Sequence, residues 1–218
     1  MPSVKIPRKS TDTDMTPFVD VAFLILSFFI MATKFKPQEP VPITTPGSVL
    51  TQTLPESNAV MISFDSANRV FFTVLSEKEP AIIDAVIQNL NSSRSLNLTP
   101  QEMSNFRNIY GIGVPFSGLK SILGMPAEQA KKVHQPGIPV ADSANNELVW
   151  WISAAKDAFA GKPLKFLIKG DAQSLYPTFG AVIDALKRNE EFKYNLVTAL
   201  EDVPKGSEYE KSLNQKSK

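Results

Sequence analysis

Two patterns of apolar and polar positions divide the chain. Residues 17–33 are apolar throughout except for Asp20, Ser27 and Thr33. With every face greasy, this run predicts a helix that needs apolar surroundings on all sides. A helix over 17–34 rises about 1.5 Å per residue and so is roughly 27 Å long, close to the ~30 Å of a bilayer's hydrocarbon core. Thr16 is placed to cap its first turn, and Pro17 suits a first helical position, where no backbone donor is needed. Lys34 and Lys36 follow, and Pro37 stops further helix. A buried core helix fits poorly, because a proline-rich stretch comes next. A cleaved leader has Lys5, Arg8 and Lys9 in its favour, but Asp20 interrupts its apolar region and Met31-Ala32-Thr33-Lys34 is a poor cleavage site. A retained single span is the better reading. The flanking basic residues tilt only slightly toward a cytoplasmic N-terminus.

Beyond residue 57 the pattern alternates. Val60, Ile62 and Phe64 alternate with Met61 and Ser63, and Asp65-Ser66-Ala67-Asn68 supplies a turn, so 58–74 reads as a hairpin. Ile83, Val86, Ile87 and Leu90 make one face of a following helix. Thr99-Pro100-Gln101-Glu102 is a capping box that opens another. Residues 111–139 are rich in Gly and Pro, with short helical pieces such as 126–133, and read as an elaboration of a smaller domain. Leu148, Trp151, Ile152, Ala155 and Phe159 form the buried stripe of an amphipathic helix ended by Gly161 and Pro163, leaving Trp150 toward a second surface. Phe179, Val182, Ile183 and Leu186 form a similar stripe later. These elements imply an α+β domain, a small sheet with helices on one face.

Between the two regions, 36–56 carries Pro37, Pro40, Pro42, Pro46 and Pro55. At ~3.1 Å per residue such a tether can reach roughly 60 Å. It is either a passive linker or a segment that pairs with a sheet edge and is released during work.

Composition narrows the chemistry. The 218 residues carry a net charge of +1 and no cysteine, so there is no global field toward nucleic acid and no thiolate site. His134 is the only histidine, in a Lys-Lys-Val-His-Gln-Pro loop, and reads as solvent-exposed. The "GIGVPFSG" glycines have the wrong spacing for a phosphate loop, and Lys169-Gly170-Asp171 reads as a strand-ending turn. No enzyme active site, metal site or cofactor site emerges.

Asp20 then stands out. A charged acid near the centre of a span costs about 2.5–3.5 kcal/mol, less toward an end. It either reaches back to the interface or faces a protein interior where it can be neutralised. Thr16, Asp20, Ser27 and Met31 fall close to one helical face. A stripe with two hydroxyls and a carboxyl prefers another helix or a wet passage to lipid. Moving one elementary charge through 100 mV is worth about 2.3 kcal/mol, so an acid that alternates between charged and neutral states can couple that energy to motion.

The string Asp14-Met15-Thr16-Pro17-Phe18-Val19-Asp20-Val21 before the apolar span resembles the ExbD/TolR family, with Asp14 where Asn is common. Residues 163–202 look like that family's closing strand-helix-strand unit, with strand 165–168, Asp171 after it, helix 176–187 and strand 194–199. The Val41/Ile43 alternation before Pro46 resembles its juxtamembrane strand, with Thr45 in place of Leu. The resemblance implies a bacterial inner-membrane protein with a cytoplasmic N-terminus over 1–14, a transmembrane helix over 15–35, the tether over 36–56, a periplasmic α+β domain over 57–202 with an insertion at about 95–140, and a disordered tail over 203–218. It implies a proton-motive-force-driven motor subunit in which Asp20 carries protons, with Thr16, Ser27 and Asp14 as pore-facing support. Two copies would sit in a pentamer of an ExbB/TolQ-like polytopic protein and act on a TonB- or TolA-like partner or the cell wall. The rival reading is a membrane-tethered periplasmic binding or scaffold module without proton chemistry.

Overall fold

The computed structural model describes residues 15–32, 39–49, 55, 57–76, 79–141 and 143–201. The chain divides into two compact units, Met1–Pro37 and Gln38–Lys218.

Among the described residues of the first unit, one helix, α1, covers Thr16–Ala32. It opens one residue earlier than its sequence predicts. Thr16 is already helical, Pro17 takes the second position, and the Met15 carbonyl accepts the Val19 N–H at 3.0 Å. At 17 residues α1 is about 25 Å long. Among the described residues no helix is long and apolar enough to cross a membrane. The expected span over 15–35 is thus not found as a crossing helix among the described residues, where α1 ends at Ala32; 33–35 lie outside them. None of the α1 residues is buried.

The second unit is built on two sheets. Strand β1, Gly47–Ser48, pairs in parallel with β6, Ala199–Leu200. The main sheet has the order β3-β2-β4-β5, with β2 at Ala59–Phe64, β3 at Val70–Leu75, β4 at Lys165–Gly170 and β5 at Tyr194–Leu196. β2 runs antiparallel to β3 and parallel to β4, and β4 runs parallel to β5. The hairpin turn is held where Asp65 accepts the Arg69 backbone N–H and its Nε, both at 2.8 Å. The strand expected over 194–199 is split. Val197 still donates to the Ile168 carbonyl at 2.8 Å, and the chain then leaves β4 to pair with β1.

Helices α2 (Pro80–Arg94), α6 (Leu148–Ala158) and α7 (Tyr176–Arg188) account for the main apolar cover. The α6 stripe is buried as its spacing predicts: Leu148, Trp151, Ile152, Ala155 and Phe159 are all essentially inaccessible. α2 is rotated slightly, with Ile82 buried rather than Ile83 beside Val86, Ile87 and Leu90. Trp151 packs against Phe72, Phe106 and Phe116, with ring centroids 5.0–6.2 Å away.

The residues expected as an insertion at about 95–140 pack into this same core. Their elements are α3 (Pro100–Asn105), α4 (Phe116–Leu123) and α5 (Ala127–Ala130). Ile112, Val114, Leu119, Ile122, Leu123, Ile138 and Val140 join the same cluster as the sheet. Thr99 and Glu102 form the expected capping box at α3. Ile112 also exchanges two backbone bonds with Phe72 at 2.8 and 2.9 Å, so the outer edge of β3 is closed over that residue.

The expectation of helices on one sheet face is met, but the opposite face is not bare. Val60, Ile62, Phe166 and Ile168 enter the main core, while Ala59, Met61 and Leu167 form a second cluster with Leu75, Tyr110 and Val197. Loop backbone covers this side closely. A Cβ on Gly113 would stand 2.2 Å from the Phe71 ring, so only glycine lets the chain pass there. The period-2 pattern therefore feeds two cores, one under helices and one under loops.

Candidate functional site

The first candidate is the α1 face. Successive helical residues turn by about 100°, so Thr16, Asp20 and Ser27 project within roughly 40° of one another. Asp20 is exposed and forms no ion pair among the described residues. It is the one ionisable residue of Thr16–Ala32. The Ser27 hydroxyl donates to the Phe23 carbonyl at 2.6 Å and approaches the Leu24 carbonyl at 3.2 Å. Its hydrogen is thereby spent inside the helix, and it meets a neighbour as an acceptor only. That suits a protonated acid or a water better than a second carboxylate. Asp14 lies outside the described residues. Around this face, the large apolar side chains from Phe18 to Met31 are 52–88 % exposed.

The second candidate lies in the domain, where residues 39–49 run along its surface as a strap. Thr44 is gripped twice: its N–H donates to Asp171 Oδ2 at 2.9 Å, and its carbonyl accepts the Ala172 N–H at 2.8 Å. The Pro46 and Ser48 carbonyls accept the N–H groups of Ala199 and Glu201, both at 3.0 Å. Glu39 pairs with Lys169. Part of the predicted tether is thus seated against β6 rather than free. Asp171 also accepts the Gln173 N–H at 2.9 Å through Oδ1. Those bonds, from Gln173 and then Thr44, hold its carboxyl below the usual carboxylate range.

Beside the strap, Pro46, Phe64, Ile168, Tyr176, Phe179 and Leu196 line a shallow groove of about 290 Å³. It opens where β4 meets the start of α7. Leu175, Tyr176 and Leu196 around it are 57–78 % exposed.

Other residues marked in the sequence have structural tasks. His134 is exposed, with its ring nitrogens 3.1 and 3.2 Å from Arg69 Nη1. Trp150 is 40 % exposed and holds the Arg94 guanidinium over its ring at 4.7 Å. Among the described residues there is no cluster of His, Asp and Glu able to hold a metal ion.

Two pairings escaped the sequence. Thr44 and Asp171 stand 127 positions apart. Asp171 was visible as an acid after a strand, but nothing local to it names its partner. Glu147 accepts the Phe116 N–H at 2.8 Å and so serves the first turn of α4 from another element. Burial raises its carboxyl above the usual range, against the lowering effects of that bond and of Arg94. The one local hint is that Pro115, before α4, offers no side-chain acceptor.

Among known proteins, a family model described as Biopolymer transport protein ExbD/TolR matches residues 7–201. No curated protein matches the chain, and no solved structure matches it.

Proposed function

The chain belongs to the ExbD/TolR family, and from that premise we propose that it is the proton-carrying stator subunit of an energy-transducing membrane complex. Members of this family are not enzymes. They are typically anchored in the inner membrane, act in biopolymer transport and work with ExbB/TolQ and TonB/TolA partners.

One observation carries it. Asp20 is a single carboxyl on a helix whose apolar side chains lack protein cover, in line with two hydroxyls. Such a helix calls for lipid or partner helices, although its 17 described residues are too few to cross a membrane by themselves. We place α1 there, with its polar stripe against an ExbB/TolQ-like partner. Neutral Asp20 slides past apolar neighbours, whereas the ionised form must keep a polar partner or water. Alternation between the two lets proton flow move α1 in its socket. The second unit passes the motion to a TonB- or TolA-like protein.

Replacement of Asp20 by Asn keeps shape and polarity and removes the titration. In cells carrying the assembled complex, Asp20→Asn should abolish proton-driven transport with complex assembly intact, and Asp20→Glu should retain part of it. Full transport by Asp20→Asn would instead leave a tethered binding module without proton chemistry.

A further inference from the structure

We propose that Asp171 is a latch residue, whose carboxylate holds the strap Glu39–Ser48 against the domain so that losing this grip lets the strap peel away as one piece.

The strap is built to be held at points rather than along its length. Pro40, Pro42 and Pro46 remove three backbone donors from ten residues, so a continuous ladder cannot form. β1 is accordingly two residues long. No residue of the strap is buried, and its side chains are half-buried or exposed. Segments held by solvent-accessible hydrogen bonds with little apolar cover open at low free energy.

Against that weak background, Thr44 is the point held from both sides. Consecutive residues take its two backbone groups, Asp171 by a side-chain oxygen and Ala172 by its N–H. Asp171 is itself rigidly placed. Its N–H donates to the Phe64 carbonyl at 3.0 Å, its carbonyl accepts the Ser174 N–H at 3.0 Å, and its second carboxylate oxygen takes the Gln173 N–H. The carboxylate is therefore aimed at Thr44 before the strap arrives. A bond to an ionised acceptor is about twice as strong as a neutral one. Glu39–Lys169 is a further side-chain attachment of the strap, here to β4.

Releasing Glu39–Ser48 frees ten residues, which at ~3.1 Å each add up to about 30 Å of extended chain. It also removes Pro46 from the wall of the groove and uncovers the Ala199 and Glu201 N–H groups. The inference uses contacts within the second unit alone, so its success or failure is separate from that of the Asp20 reading.

Amide hydrogen exchange on the full chain in detergent micelles tests it at single residues. In Asp171→Ala the Ala172, Ala199 and Glu201 amides should exchange several-fold faster. The Val197 amide, bonded to Ile168 inside the sheet, should keep its rate. Thr44→Pro removes the donor while sparing the carboxylate, and should give the same local pattern if Asp171→Ala fails to fold. Unchanged rates at Ala199 and Glu201 in the variants would overturn the latch. Equal acceleration at Val197 would overturn it too, because Asp171 would then support the whole domain.

Discussion

Helix α1 and helix α6 spend similar side chains in opposite ways. Leu24 on α1 is 61 % exposed, whereas Leu148 on α6 has no accessible surface. α6 carries Ser153, Lys156 and Asp157 off its apolar stripe, so one face is left for water. α1 has no such face, because its polar residues are too few to cover one. A helix with one greasy side is completed by its own domain, and a helix greasy all round is completed by something else. Asp20 belongs to that second situation, as the one carboxyl on a helix whose large apolar side chains are exposed.

The largest expected effect breaks the comparison at its apolar positions. Leu90→Ala in α2, at a site with no exposure, should lower the domain's unfolding free energy by about 2–5 kcal/mol in denaturant titration. Leu24→Ala should leave that transition where it is, since Leu24 is 61 % exposed. A shared loss would mean that α1 is part of the domain's core. A smaller effect concerns how helices end. Thr99→Ala removes one arm of the α3 capping box and should cost about 1 kcal/mol by the same titration.

The smallest effect is a change in pH dependence. Glu147 is a carboxyl whose value rises on folding, chiefly through burial. Its favourable contribution is full below the unfolded carboxylate range and is lost as pH rises through the folded value. Glu147→Gln keeps an acceptor for the Phe116 N–H and removes the titration. Thermal melts between about pH 4 and 7 should therefore vary less in the variant than in the wild type. Identical slopes would show that Glu147 is as well solvated folded as unfolded.

What the sequence revealed follows from range. The α6 stripe, the hairpin about Asp65–Asn68 and the Thr99–Glu102 capping box depend on neighbours within a few positions, and each stands where its spacing predicts. The burial of Ile112, Val114, Ile138 and Val140 was not legible, because they sit in aperiodic, proline-rich loops. Their burial comes from tertiary packing, which no period announces. The end of β5 was overrun because Val197 still bonds to β4 while Ala199 has turned to β1, a partner some 150 residues earlier. The strap was legible as an alternative, but its grip was not, since the Asp171 carboxylate meets Thr44 only once β2 and β4 are paired. For Asp20 the sequence singles out the residue and its stripe; the structure adds the exposure of the helix and the inward-turned Ser27 hydroxyl.

The central claim is that Asp20 carries protons. It is tested most directly by proton flux into liposomes holding the complex reconstituted with its ExbB/TolQ-like partner, with an imposed membrane potential and a trapped pH dye. The wild-type complex should pass protons and the Asp20→Asn complex, at equal mass, should pass none. Equal flux from both would contradict it and remove Asp20 from the proton path.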